Sequence, residues 1–249
     1  MLINAARNIL KQFGFDVVRR YKDFPGAVEA VIVPVAANGG TALFLIQHRY
    51  DHIQRELAQG RFYEIEELAL NPGSVFVDVG ANVGVHSIYA AKVLHASKVI
   101  AIEPNPIAYR LLCANAGLNC ILDRFVHHAV ALSDETGRGA MDIPLHNLGA
   151  VHVVRGDGAI QLVPGDDILR DEPRIDFIKI DTEGMELNVL RGLSETITRH
   201  QPTLFVEVDE RNKSSAPSLL AELGYRIADR FRRYETSENF LALPPRRWE

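Results

Sequence analysis

Cysteine is scarce in this chain of 249 residues: it has two, Cys113 and Cys120. They stand seven positions apart and no CxxC or Cys-His spacing surrounds them, so a zinc module and a disulfide framework are excluded. Both read as buried small hydrophobes in a reduced chain. Positive charge is also short, with 27 Lys and Arg against 32 Asp and Glu and a net charge of -5. That balance carries no footprint for nucleic acid. No apolar run is long enough to span a bilayer. Internal repeats and low-complexity tracts are missing, and MLINAARNILKQFGF carries no cleavage pattern. No signal peptide is therefore expected, and a cytoplasmic location is. What is present is 47% hydrophobic and 24% charged, enough to bury a core.

From Val75 onward apolar strands alternate with helical spacing. Val75 to Val79, Val99 to Ile102, Phe125 to Leu132, Phe177 to Ile180 and Leu204 to Val208 read as strands. Between them Val85, Ile88, Ala91 and Leu94 recur at near-helical spacing. Asn105-Pro106 reads as an N-cap with a first-turn proline, and Met185, Val189, Leu190 and Leu193 mark a later helix. Asp134 to Val163 is glycine-rich and reads as strands and loops. Ser215 to Leu223 is a helix stopped by Gly224, and Tyr225 to Ala228 can pair with Phe240 to Leu243 as an antiparallel edge. The pattern predicts a three-layer α/β domain over residues 71–249 with a mostly parallel sheet. Residues 1–70 form an N-terminal extension packed on it, with Val28 to Val35 and Ala42 to Gln47 as two strands around Ala37-Asn38-Gly39-Gly40. Ile53 to Leu70 looks helical with a break near Gly60.

The chemistry concentrates in a few stretches. VDVGANVG, Val77 to Gly84, resembles a dinucleotide loop, but Asn82 replaces the glycine that would let backbone approach a pyrophosphate. Asp78 adds a negative charge that would repel a pyrophosphate and favour a cation. Glu103, 25 positions later at the end of the next strand, is placed to accept the hydroxyls of a ribose. A ligand with ribose hydroxyls, a positive group and no pyrophosphate is described by S-adenosyl-L-methionine (SAM). The plainer reading is a structural turn beside a helix-start acid.

VDVGANVG, IEPNP, ALSDETG and IKIDTEGMELNVLRG, in that order over roughly residues 50 to 245, resemble the FkbM family of SAM-dependent methyltransferases. The resemblance implies a Rossmann-like class I methyltransferase: a mostly parallel seven-stranded sheet ending in a C-terminal antiparallel hairpin. It also implies O-methylation of a hydroxyl on a sugar or secondary metabolite. By the same resemblance Asp78, Gly80, Asn82 and Gly84 belong to the cofactor loop. Glu103 with Pro104 takes the ribose, Ala129 and Val130 lie about where the adenine should be, and Ser133 and Asp134 match the recurring pair after the third strand. Asp181, Glu183 and Glu186 match the acidic block after the fourth strand.

Methyl transfer needs an aligned acceptor, and a hydroxyl must also lose its proton to a carboxylate or histidine. Asp181 is the first candidate base and Glu183 the second, while Thr182 can cap the next helix and Glu186 can serve its N-terminus. Lys179 shares Asp181's face by strand period. His86 and His146 are further candidate bases, whereas His127 and His128 alternate on one strand. Tyr63, Glu64 and Asn239 are candidate ligand contacts. Asp181, Glu183 and Glu207 could hold magnesium or calcium, but the resemblance does not require a metal and none is expected. The expected partner is a small-molecule or glycan acceptor, with no nucleic acid and no membrane span, a homodimer being one option. An N-methyltransferase, a non-catalytic SAM-binding scaffold and an NAD oxidoreductase are the alternatives.

Overall fold

A computed structural model describes residues 8–13, 31–37, 40–47, 51–65, 68–141, 152–232 and 234–245. Residues 8–12 are helical (α1). A hairpin of β1 (Val31–Ala37) and β2 (Gly40–Ile46) follows, then α2 (His52–Ala58). The alternating part runs β3 (Val75–Val79), α3 (Val85–Lys92), β4 (Lys98–Ile102), α4 (Pro106–Leu118) and β5 (Phe125–His128). Next come β6 (Ala131–Ser133), β7 (Gly137–Met141), β8 (Val153–Arg155), β9 (Ile160–Pro164) and the short α5 (Gly165–Ile168). The chain closes with β10 (Phe177–Ile180), α6 (Glu186–Gly192), α7 (Ser194–His200), β11 (Thr203–Asp209), α8 (Ala216–Glu222), β12 (Arg226–Phe231) and β13 (Ser237–Leu243).

The main sheet has seven strands in the order β12-β13-β11-β10-β3-β4-β5. β5, β4, β3, β10 and β11 are parallel neighbours, and β13 runs antiparallel to both β11 and β12. This is the expected sheet with its terminal hairpin. Its central strands read as near-continuous apolar runs because both faces are covered. Alternation divides their side chains. Phe76, Ala101, Phe177 and Phe205 join a buried cluster with α3, α4 and the β1–β2 hairpin. Val77, Val79, Ile178, Ile180, Leu204 and Val206 join a second with α6 and α8 on the other face.

Local chemistry fixes several boundaries. Asn105 Oδ1 accepts from the Ile107 amide at 3.0 Å and caps α4, with Pro106 at its first position. Gly224, at φ +82°, ends α8. β1 and β2 pair from Val31–Ile46 to Ala37–Gly40. The amides of Leu43 and Leu45 donate to Asn119 Oδ1 at 2.9 Å and Asn115 Oδ1 at 2.6 Å. Asn115 Nδ2 in turn donates to the Val83 carbonyl at 2.9 Å, so one α4 side chain ties the hairpin to the loop after β3.

Three expectations are corrected. The helix over Ile53 to Leu70 stops at Ala58 and is not resumed in 61–65 or 68–70, because Gly60 takes φ +76° and Phe62 turns to pack on Phe44 and Tyr89. Phe125 to Leu132 is two strands rather than one: β5 pairs with β4, while β6 leaves to pair with β9. Cys113 is buried as expected, but Cys120 lies beyond the end of α4 at φ +55° and is exposed. The glycine-rich region contributes a second sheet, β6-β9-β7-β8. Among the described residues no helix is long and apolar enough to cross a membrane.

Candidate active site

The carboxyl ends of β3, β4, β10 and β11 open into one cavity of about 420 Å³. Open parallel sheets bind ligands at that edge. Strand register sets out what meets there. Asp78 pairs with Lys179 across β3 and β10, one residue inside the edge. Ile180 pairs with Val206, so Asp181 and Glu207 come next in register, and Glu207 pairs with Asn239 across β13. These side chains share one face of the sheet.

The floor is an ion network. Asp78 is fully buried, accepts from Ser87 Oγ at 2.6 Å, and keeps Oδ1 without a hydrogen bond at 3.9 Å from Lys179 Nζ. Lys179 Nζ donates to Asp181 Oδ2 at 2.9 Å. Burial opposes the Lys179 charge, yet Asp181, Asp78 and Glu207 outweigh it and hold its pKa above the ordinary lysine value. Burial also pushes the Asp78 carboxyl up, against the pull of Lys179 and Ser87. The expected sharing of a face by Lys179 and Asp181 is observed.

Above the floor the chain turns sharply. Gly80 takes φ +78°, and a Cβ there would stand 1.7 Å from the Asp181 carbonyl oxygen. No other residue type fits without moving one of the two strand ends. The amides of Gly80 and Ala81 both donate to the Ile102 carbonyl, at 2.9 and 3.0 Å. Asn82 sits at φ +51° with its Oδ1 buried and unpartnered. Gly84 opens α3 at φ +90° packed under Leu112; it shapes the loop and is not part of the cavity lining. Glu103 is buried at the end of β4. Its Oε2 accepts from the Asn82 amide and its Oε1 from the Asn105 amide, both at 2.7 Å. Burial pushes its pKa up to about 7, although the two amides work the other way. Beside it Ile102, Pro104, Val130 and Leu132 give the wall an apolar strip.

The acidic block divides. Glu186 is buried, accepts from the Gly184 amide and takes Asn212 Nδ2 at 2.6 Å, so it braces the turn. Glu183 lines the cavity at φ +51°. Burial first, then the charges of Asp181, Glu186 and Asp209, push it up to about 8. Thr182 does not cap the following helix: its Oγ1 is buried without a partner, and α6 begins after Met185 with no side-chain cap.

The remaining wall is assembled from distant segments. Glu207 accepts from Ser237 Oγ at 2.6 Å, and burial and Asp181 push its pKa up to about 8 against that bond. Tyr63 OH and Tyr234 OH are 2.6 Å apart, and Tyr234 OH donates to Glu64 Oε1 at 2.9 Å. His86 Nε2 lies 2.8 Å from the Glu64 carbonyl oxygen. His52, His152, Asp209 and Tyr234 line the cavity and were not singled out by sequence reasoning. Tyr63 and Tyr234 are 171 positions apart, and no local pattern links them.

Some predicted residues lie elsewhere. Ala129 is exposed and Ser133 is buried, and neither lines the cavity; Val130 does. Ser133 Oγ donates to Asp134 Oδ1 at 3.0 Å and accepts from Arg155 Nη2 at 2.9 Å, which locks the small sheet. Asn239 is buried in β13 opposite Glu207 but is not part of the lining. His127 bonds Tyr109 OH at 2.6 Å away from the site, and His146 lies outside the described residues.

The sheet edge thus carries a glycine turn, a buried acid one strand over and a charged floor. Comparison with known proteins identifies it further. Residues 78–227 match the methyltransferase FkbM domain. The chain belongs to the FkbM methyltransferase family. It is 28% identical over 218 residues to methyltransferase sdnD of Sordaria araneosa, covering 70% of this chain and 82% of that one. It is 34% identical over 110 residues to the 31-O-demethyl-FK506 methyltransferase FkbM of Streptomyces tacrolimicus, covering 44% and 40%. The hexuronic acid methyltransferase AglP of Haloferax volcanii is 28% identical over 131 residues, covering 49% and 51%. The chain thus spans most of the first relative and about half or less of the other two. Among solved structures, the FkbM methyltransferase of Methylobacillus flagellatus KT aligns at TM-score 0.47 and 24% identity over 72% of this chain and 46% of that one. The FkbM domain lies on a class I, Rossmann-like sheet, and the chain is a methyltransferase.

Proposed function

We propose that the cavity binds S-adenosyl-L-methionine and that the protein transfers its methyl group to a hydroxyl of a small-molecule or glycan acceptor. The observation that carries this is Glu103: a buried carboxylate on the Asn82 and Asn105 amides, one strand from a turn that only Gly80 fits. The orphaned Oδ1 atoms of Asn82 and Asp78 mark acceptor-rich surroundings that suit a cationic ligand with donor groups. A volume of about 420 Å³ is within the ordinary range of small-molecule sites.

When bound, SAM supplies a sulfonium-activated methyl group. The chain's part is to hold and align. Lone pairs of Glu103 not used by the two amides take the ribose hydroxyls, and the strip Ile102, Pro104, Val130 and Leu132 covers the base. Lys179 holds Asp181 in place over the strand end, beside the Gly80 turn. Alignment of this kind can supply ~7–11 kcal/mol of the barrier. The acceptor proton passes to a carboxylate at the edge. Asp181 and Glu183 are both within the cavity, and Glu183, held up to about 8, is matched to work near neutrality. The names of FkbM and of the 2-O-methyltransferase NoeI of Sinorhizobium fredii support oxygen as the methylated atom.

Calorimetry with S-adenosylhomocysteine (SAH) and with NAD tests the cofactor, and radiolabelled methyl transfer to a hydroxyl panel tests the reaction. SAH is expected to bind and NAD not to. NAD binding without SAH binding would sink the reading. Asp181→Asn should abolish transfer while SAH affinity stays near that of the parent.

A further inference from the structure

The acceptor end of the cavity has its own chemistry. Glu103 and Val130 place the nucleoside over β4 and β5. Glu207 lies at the end of β11, two strands beyond Gly80 on the other side, a spacing of about 10 Å across the sheet. The acceptor therefore meets Glu207, Glu183 and Ser237, with Tyr63 and Tyr234 beside them.

Charge there is one-sided. Lys179, whose field reaches both Glu183 and Glu207, is already bonded to Asp181 at 2.9 Å. Arg211 is bonded to Asp209 at 2.8 Å. His52 Nδ1 lies 2.9 Å from Arg55 Nη2 and so accepts from it, and His152 is turned to the Glu183 carbonyl. Glu64 adds a carboxylate behind Tyr234. Among the described residues no lysine or arginine forms an ion pair with Glu183 or Glu207. Burial first, and then the charge of Asp181, pushes Glu183 and Glu207 up to about 8, and a cation placed between them would favour their ionised forms. Thr182, whose Oγ1 is buried and without a partner, belongs to the same lining.

We infer that this end selects an acceptor hydroxyl carried on a cationic molecule, such as an amino alcohol or amino sugar, and rejects anionic acceptors. The inference rests on the methyltransferase reading of the cavity and names its substrate class. A cation would sit between Glu207 and Glu183, with the tyrosine rings adding attraction for it. A carboxylate placed there would face two acids, and among the described residues the nearby cations Lys179 and Arg211 are already paired with Asp181 and Asp209.

The test uses the full chain saturated with SAH, whose own binding is measured first. Calorimetry at about pH 9, where both acids are ionised, and at low ionic strength then compares three small alcohols: choline, its uncharged isostere 3,3-dimethylbutan-1-ol, and the anion 3-hydroxypropionate. Choline should bind about tenfold or more tighter than the isostere, lose that advantage in high salt, and leave the anion without measurable binding. Glu207→Gln should remove most of the advantage while SAH affinity stays within about threefold, since the sites are separate. Glu183→Gln serves the same purpose if the first variant does not fold. Equal binding of all three alcohols, no binding of any, or preference for the anion overturns the inference. Failure of SAH to bind the parent protein would instead remove the methyltransferase reading, and this inference with it.

Discussion

On the β4 side of the cavity Glu103 holds both oxygens on backbone amides, Asn82 and Asn105. On the β11 side Glu207 is bonded to a side-chain hydroxyl, Ser237, and is crowded by other acids. The first arrangement is built on backbone amides just past the ends of two neighbouring strands, β3 and β4. The second is drawn from four separated segments, around Tyr63, Glu183, Glu207 and Tyr234. On the proposed reading, the half built on backbone amides holds the cofactor and the half built from side chains recognises the acceptor.

The comparison can be broken at the floor that both halves share. Lys179→Met leaves Asp78 and Asp181 without their cation in a buried setting. It should cost roughly 3–5 kcal/mol of stability, less whatever Asp78 recovers by taking up a proton. Urea denaturation measures it. A loss under 1 kcal/mol would mean the network does not hold the strand ends together.

Glu103→Ala sharpens the proposed cofactor half. Losing hydrogen bonds to a charged acceptor should weaken SAH by about 1.5–3 kcal/mol, or roughly 10- to 100-fold, with the fold retained. Unchanged SAH affinity would take the ribose away from Glu103.

Titration weighs the halves together. Glu103 is pushed up to about 7, and Glu183 and Glu207 to about 8, from the ordinary glutamate value of 4.5. The folded chain therefore binds more protons than the unfolded one, and stability falls as pH rises through these values. Below 6.5 the half-buried histidines His127 and His128, whose pKa values are lowered, act in the opposite sense. Melting temperature without ligand should thus decline from about pH 6.5 to above pH 8. A rise across that window would contradict the placement of these acids.

The smallest effect is expected from Arg155→Ala. Its bonds to Asp134 and Glu135 are exposed, worth ~0.2–1 kcal/mol together with Ser133, and SAH affinity should not move. A large loss of SAH binding would return Ser133 to the cofactor site.

The two halves were not equally legible in the amino-acid sequence. The sheet and the C-terminal hairpin follow from periodicity, and Gly80 and Glu103 from their places just past the ends of two successive strands. Lys179 and Asp181 followed from strand alternation. The failures share a cause. Ser133 and Asp134 look like site residues because small polar residues after a strand serve turns and sites alike; contact with Arg155, 22 positions away, decided it. Residues 61–65 carry apolar side chains that suit a helix, and only Phe44 and Tyr89 show why Phe62 is used otherwise. Tyr234 and Ser237 entered the site through β-pairing that no short motif encodes.

The division of the cavity is tested most directly by a crystal structure of the SAH complex. The account predicts ribose hydroxyls on the Glu103 carboxylate, the base along Val130 and Leu132, and the sulfur between Gly80 and Asp181, with Glu207 and Ser237 left uncovered. SAH lying over β11 and β13, with Glu103 untouched, would contradict it.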